Sequence, residues 1–172
     1  FLAADAFSKP LIARVNGDAM AGGMGVLAMC DMAVAADHAR FSLPEVRIGL
    51  FPVLIVAALR RLIPRRMMTE MALTGEFFGA QFAREIGLVN YVVPLSELDV
   101  KVDWLVGRIV DKSPTAVQRG KHALRQMWDM TLEGSLAHGQ SELAQLFATR
   151  DHAEGLAAFN EKRTPDWPSL KR

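Results

Sequence analysis

A single cysteine, Cys30, leaves the chain without an internal disulfide. It lies in an apolar run, where a cysteine serves as a small core residue rather than a nucleophile. No CxxC pair occurs, and the four histidines (His38, His122, His138, His152) show no ligand spacing, so no metal is expected. An excess of either charge is also missing. Twenty basic residues face 19 acidic ones, and a net charge of +1 sets up no global field toward nucleic acid. The local cluster Arg60, Arg61, Arg65 and Arg66 reads as a solvated helix face and turn. The longest uncharged apolar stretch, Ala19 to Cys30, is shorter than the ~20 residues a membrane-spanning helix needs. With no membrane span and no leader-like segment, a cytoplasmic location is the expectation. There is no opening methionine either. The start, FLAADAFSKP, reads as the tail of an amphipathic helix, and the sequence is expected to be a fragment of a longer polypeptide.

What is present is a chain of 172 residues, 51% hydrophobic and 23% charged, enough for one core-bearing domain. LIARVNG (11–17) is a short strand closed by an Asn-Gly turn. The segment 22–30 is apolar on every side, so a helix there should be buried all round. MAVAAD (32–37) and ARFSL (39–43) follow as strands, and Pro44-Glu45 breaks the second. Pro52 suits the entry to a helix over about 53–62, which Pro64 stops. RRMMTEMALTG is a helix closed by Gly75, GAQFAREIGLV one closed by Gly87, and LVNYVVP a strand. From Ser96 onward the pattern is helical almost throughout, with Ser113-Pro114 starting a helix.

The most informative stretch is VNGDAMAGGMGVLAMCD (15–31). Gly23-Met24-Gly25-Val26-Leu27-Ala28 fits the dinucleotide pattern G-x-G-x-x-A, with Asp37 or Glu45 as the later acid. In a nucleotide-binding turn, however, the first glycine follows its strand directly. Here residues 18–22 intervene, and the next strand comes too soon for a crossover helix. Two other readings stand beside it. The glycines can serve close packing of a buried helix. Alternatively, Gly22 or Gly23 presents a free N–H at a helix start to an oxygen that becomes negative during a reaction.

The segment KPLIARVNGDAMAGGMGVLAMCDMAVAADHARFSLPEVRIGLFP resembles the enoyl-CoA hydratase/isomerase (crotonase) superfamily. Lys9-Pro10, Asn16-Gly17, Gly22-Gly23, Cys30-Asp31, Ala36, Phe41, Pro44-Glu45, Gly49 and Pro52 fall in that family's order. The likeness continues through LTGEFFGAQFAREIGLVNYVVP, SPTAVQRGKHAL and EGLAAFNEKRTP.

The resemblance implies an α/β fold, a right-handed spiral of ββα units with a C-terminal helical trimerisation region. Residues 1–95 would be the C-terminal part of the ββα core, its N-terminal part absent, and 96–172 the helical oligomerisation region. It implies an acyl-CoA thioester as substrate, no metal or redox cofactor, no nucleic-acid or membrane partner, and a homotrimer or dimer of trimers. Leu105, Val106, Leu124, Met127 and Trp128 are expected to meet other subunits. Gly22 would supply one oxyanion N–H, the second donor lying on an upstream loop outside this sequence. Of the two acidic positions of the hydratases, one falls on Gly25 and is lost; the other is Glu45. A lone carboxylate suits moving a proton between carbons, whereas hydration is served more naturally by a pair. By residue type alone, Glu45 is an exposed loop glutamate beside Arg47. Gly23, Met24, Gly25, Phe51, Pro52 and Leu54 are expected to line the substrate, with Met20 and Met29 as core filling. The alternative is a catalytically impaired acyl-CoA-binding or assembly protein of the same fold.

Overall fold

The computed structural model describes residues 1–171. They form two compact units, Phe1–Phe7 with Leu11–Leu105, and Ser8–Pro10 with the chain from Val106 onward.

In the first unit a short α1 (Leu2–Asp5) precedes β1 (Ile12–Val15), β2 (Ala19–Met20) and α2 (Gly22–Ala28). Next come β3 (Met32–Ala36), β4 (Arg40–Ser42), a 3-10 turn (Pro44–Ile48), α3 (Val53–Leu59) and α4 (Arg65–Thr74). β5 (Phe78–Gly79), α5 (Ala80–Glu85), β6 (Tyr91–Val93) and α6 (Leu98–Val110) complete the series, the division between the units falling inside α6. The strands divide between two sheets. One is β1-β3-β6, parallel throughout; the other is β2-β4-β5, with β2 parallel and β5 antiparallel to β4. The result is a spiral of strand–strand–helix units.

β3 shows why the spiral holds. Side chains alternate across a strand, and this one is covered on both faces. Ala33 and Ala35 pack with Met24, Leu27, Phe41, Leu43 and Leu59, while Val34 and Ala36 pack with Leu98 and Leu105. Asn90 extends the pairing on one side: its Oδ1 accepts from the Ala33 N–H at 2.8 Å, and its own N–H donates to the Ala33 carbonyl at 2.9 Å.

Several expectations change. The helix at residue 22 is not buried all round, because Gly22, Gly23 and Val26 form an outer face and Val26 is 62% exposed. The helix entered at Pro52 ends at Leu59, where the Leu59 carbonyl accepts from the N–H groups of Leu62 and Ile63 and turns the chain ahead of Pro64. β2 and β5, two residues each, carry no periodicity and were not anticipated. Gly75 (φ 63°) and Gly87 (φ 85°) sit in the left-handed region after α4 and α5, as their closing positions require. Leu105 is buried inside the first unit rather than held out for another subunit.

The second unit consists of α7 (Pro114–Met127), α8 (Leu132–Phe147), α9 (Arg150–Glu161) and a final 3-10 turn (Pro168–Lys171). Ser113, Thr131 and Thr149 cap the three helices, each side-chain oxygen accepting a first-turn N–H. Asp151 joins the ends. It is 4% exposed and accepts from Ser113 Oγ (2.5 Å), Ser169 Oγ (2.6 Å) and the Ser169 N–H (3.0 Å). Burial pushes this carboxyl up, and the hydrogen bonds outweigh it, leaving the group below its ordinary value. The Trp167 indole N–H donates to the Asp111 carbonyl at 2.8 Å, and its ring lies against Gly155, where a Cβ would come within 3.2 Å.

Candidate active site

The two parallel strands β2 and β4 end side by side, with Met20 opposite Ser42. The glycine turn leaves the end of one, and Pro44-Glu45 leaves the end of the other. Parallel pairing therefore delivers both segments to the same edge, one strand spacing (about 4.8 Å) apart at their roots.

Ala21 makes the glycine turn. Its φ of 48° and ψ of −121° are unusual for a residue with a Cβ. Its N–H donates to the Ser42 carbonyl (3.1 Å), and its carbonyl accepts from Met24 (3.0 Å) and Gly25 (3.4 Å) at the start of α2. The Ala21–Gly22 peptide is trans, so the Gly22 N–H points opposite to the Ala21 carbonyl. That carbonyl aims into the helix, so the Gly22 N–H aims out of it, ahead of the first intrahelical acceptor. A Cβ at Gly22 or Gly23 would meet nothing within 4 Å, so open space lies before both residues.

Glu45 sits in the first turn of the 3-10 segment and is half-buried. Its Oε2 is shielded from solvent and has no hydrogen-bond partner. A shielded carboxyl oxygen without a donor is costly. Arg47 does not neutralise it; that guanidinium pairs with Glu76 at 2.8 Å. The turn is clamped from behind. The Glu45 carbonyl accepts from the Leu50 N–H at 3.0 Å, and Gly75 lies so close that a Cβ there would come within 3.3 Å of Pro44 Cα. On its flank, Phe77 lies between Arg40 and Arg47, 4.9 and 5.9 Å from the ring centre. Arg40 in turn holds the β1–β2 turn through Asp18, at 2.6 Å, and this hydrogen bond keeps the Asp18 carboxyl below its ordinary value.

The other expected residues distribute as follows. Met24 is wholly buried, and its side chain fills the core. Pro52 is fully buried at the N-cap of α3, whereas Phe51 and Leu54 are exposed, at 46% and 70%. Gly25 is buried, and a Cβ there would collide with the Phe1 ring. Gly23 opens onto a cavity of about 360 Å³ whose walls include Arg14, Asn16, Asp18, Val26 and Leu27 but not Glu45, Phe51 or Leu54. Ala21 and Ser42 were not singled out from the sequence. Alanine gives no sign of positive φ, and Ser42, next to buried Phe41, should alternate outward yet is fully buried. Among the described residues no group of His, Cys, Asp and Glu could hold a metal ion, and no helix is long and apolar enough to cross a membrane.

Comparison with known proteins adds the chemistry associated with this architecture. A family model described as enoyl-CoA hydratase/isomerase matches residues 1–170. The chain is 40% identical over 164 residues to the 2,3-dehydroadipyl-CoA hydratase of Escherichia coli, covering 94% of this chain and 64% of that protein. It is 36% identical over 166 residues to the crotonyl-CoA hydratase of Syntrophomonas wolfei, with coverages of 96% and 64%. Among solved structures, an enoyl-CoA hydratase of Mycobacterium smegmatis superposes with a TM-score of 0.94 at 38% identity, covering 96% of this chain and 65% of that one. Human enoyl-CoA hydratase domain-containing protein 3 gives 0.93 at 36% identity, with coverages of 96% and 66%. The chain thus spans somewhat under two thirds of the length of these relatives.

Proposed function

This chain belongs to the enoyl-CoA hydratase/isomerase family, and on that premise we propose that the whole protein binds an enoyl-CoA thioester and hydrates it or shifts its double bond. Glu45 is the acid/base, and the Gly22 N–H is one of the donors that hold the thioester oxygen. The observation that carries this reading is the shielded, unpartnered Glu45 Oε2 on the turn leaving β4, next to the glycine turn leaving β2, where a Cβ at Gly22 or Gly23 would meet open space.

The steps for a 3-enoyl substrate balance with one carboxylate. Glu45 takes a proton from C2, and the electron pair of that C–H bond moves toward the thioester carbonyl. The oxygen becomes negative and is stabilised by the Gly22 N–H and a second donor from the rest of the protein. The proton then passes from Glu45 to C4, and the double bond comes to rest between C2 and C3. In hydration the same oxygen-stabilising contact makes C3 electrophilic: Glu45 takes a proton from water as the water oxygen bonds to C3, the C2–C3 π pair moves toward the thioester oxygen, and Glu45 then returns the proton to C2. Gly25 supplies no second carboxylate, which favours the proton shift over hydration. The substrate brings its own CoA, and no further cofactor enters. Gly23, Phe51 and Leu54 are proposed to border the acyl group, with Met24, Gly25 and Pro52 backing it from the core.

The exposed Leu124, Trp128, Leu132, Leu136, Phe147 and Phe159 on α7–α9 support assembly into trimers or dimers of trimers. Turnover of crotonyl-CoA and of a 3-enoyl-CoA by the full-length protein tests the reading, with the 3-enoyl-CoA expected to react faster. Acyl-CoA binding without turnover of either substrate would instead favour the second reading, an acyl-CoA-binding protein disabled by the missing carboxylate at Gly25.

A further inference from the structure

We propose that Ser42 is a positioning residue, locking the glycine turn and the Glu45 turn into one rigid unit. The inference rests on the acid/base reading above. Ser42 is fully buried, and its hydroxyl is engaged by the Gly75 carbonyl at 3.0 Å, so it does not itself meet substrate. Its two polar arms reach to different segments. The backbone carbonyl holds the Ala21 N–H, one residue before the Gly22 donor. The hydroxyl holds Gly75, whose own backbone is packed against Pro44, Val46 and Arg47, the residues that flank Glu45.

Ala21 and Gly75 both occupy positive-φ conformations, at 48° and 63°. For Gly75 this is the ordinary conformation of a helix-closing glycine, but for Ala21 it persists only where neighbours over-determine it, and Ser42 is a neighbour common to both. Loss of the hydroxyl frees the Gly75 carbonyl and with it the rear clamp on the Glu45 turn. The end of β4 then shifts, and the shift reaches Ala21 through the Ser42 carbonyl. A misplacement of that kind changes the alignment of donor, substrate and acid without removing any group that touches substrate.

The experiment compares Ser42→Ala with wild type in the full-length protein. The proposal expects kcat to fall about 10- to 100-fold, with KM for the enoyl-CoA that wild type turns over changed by less than about threefold. It further expects backbone amides of residues 21–25 and 46–50 to exchange faster together, by about fivefold or more, while those of β3 stay protected. Unchanged kcat, loosening of only one segment, or equal loosening of β3 would overturn it. If wild type turns over neither enoyl-CoA, the acid/base reading fails, and the paired exchange of the two segments still decides the tie. If Ser42→Ala does not fold, Ser42→Cys, near-isosteric with a weaker donor, carries the same comparison.

Discussion

Replacing Ala21 by glycine should make the protein more stable. At φ 48° and ψ −121° the Ala21 Cβ is crowded by its own backbone, and a non-glycine residue in such a region costs about 1–3 kcal/mol. Glycine removes that cost but enlarges the freedom of the unfolded chain, which gives back about 0.5–1 kcal/mol. The net gain is about 0–2.5 kcal/mol. At roughly 2–4 °C per kcal/mol for a chain of this size, the melting temperature should rise by up to about 10 °C. All three hydrogen bonds of the Ala21 backbone survive the substitution, so turnover should stay within about threefold. Urea unfolding at constant m-value measures the gain directly. Lys162→Gly is the control: Lys162 has φ 55° and ψ 38°, the ordinary left-handed conformation of a helix end, and should gain less. An Ala21→Gly protein that unfolds at lower urea than wild type would show that the Ala21 methyl contributes more than its backbone conformation costs, and the strain argument would be wrong.

Glu45→Gln should lower turnover by about 10²- to 10⁴-fold while acyl-CoA still binds; equal turnover by variant and wild type would remove Glu45 from the chemistry. Asp151→Ala should destabilise the helical unit by about 2–3 kcal/mol, because Ser113 and Ser169 lose a buried acceptor; calorimetry would detect this, and a change below 0.5 kcal/mol (on the order of a neutral surface substitution) would contradict it. Glu154 is held at about 2, below its ordinary 4.5, by the Arg163 guanidinium and the Asp166 N–H. A depressed carboxyl contributes its stability above its unfolded value and loses it as pH falls through the folded one. Between about pH 4.5 and 2, therefore, the urea midpoint of wild type should drop more than that of Glu154→Gln; parallel curves would show that this carboxyl is not linked to folding.

Much of the scaffold could be seen in the residues alone, where punctuation and periodicity coincide. Asn16-Gly17, Gly75 and Gly87 mark real ends, Ser113-Pro114 starts a helix, and the alanine-rich β3 lies where its apolar run places it. The failures share a cause. β2 and β5 exist because parallel and antiparallel neighbours pair with Phe41 and its flanks, a tertiary fact that two residues cannot encode. Val26 is exposed because an apolar composition does not say which face of a short helix meets the core. At the site, Glu45 was legible only through its resemblance to a family, since a glutamate beside an arginine otherwise reads as a surface pair. The structure gives that arginine to Glu76. Ala21 and Ser42 carried no signal, because an alanine with positive φ and a serine turned inward both depend on hydrogen bonds from distant parts of the chain.

The central place of β3 has a consequence for how the first unit assembles in time. Its link to the β1 side is short in sequence: Leu11 donates to Asp31, 20 residues away. Its link to the β6 side is long, with Ala33 and Asn90 separated by 57 residues. Closing the longer loop costs about 1 kcal/mol more in chain entropy, so β1 and β3 are expected to be zipped in the folding transition state while β6 docks after it. Weakening the β6 side should then shorten the lifetime of the folded state without slowing its formation.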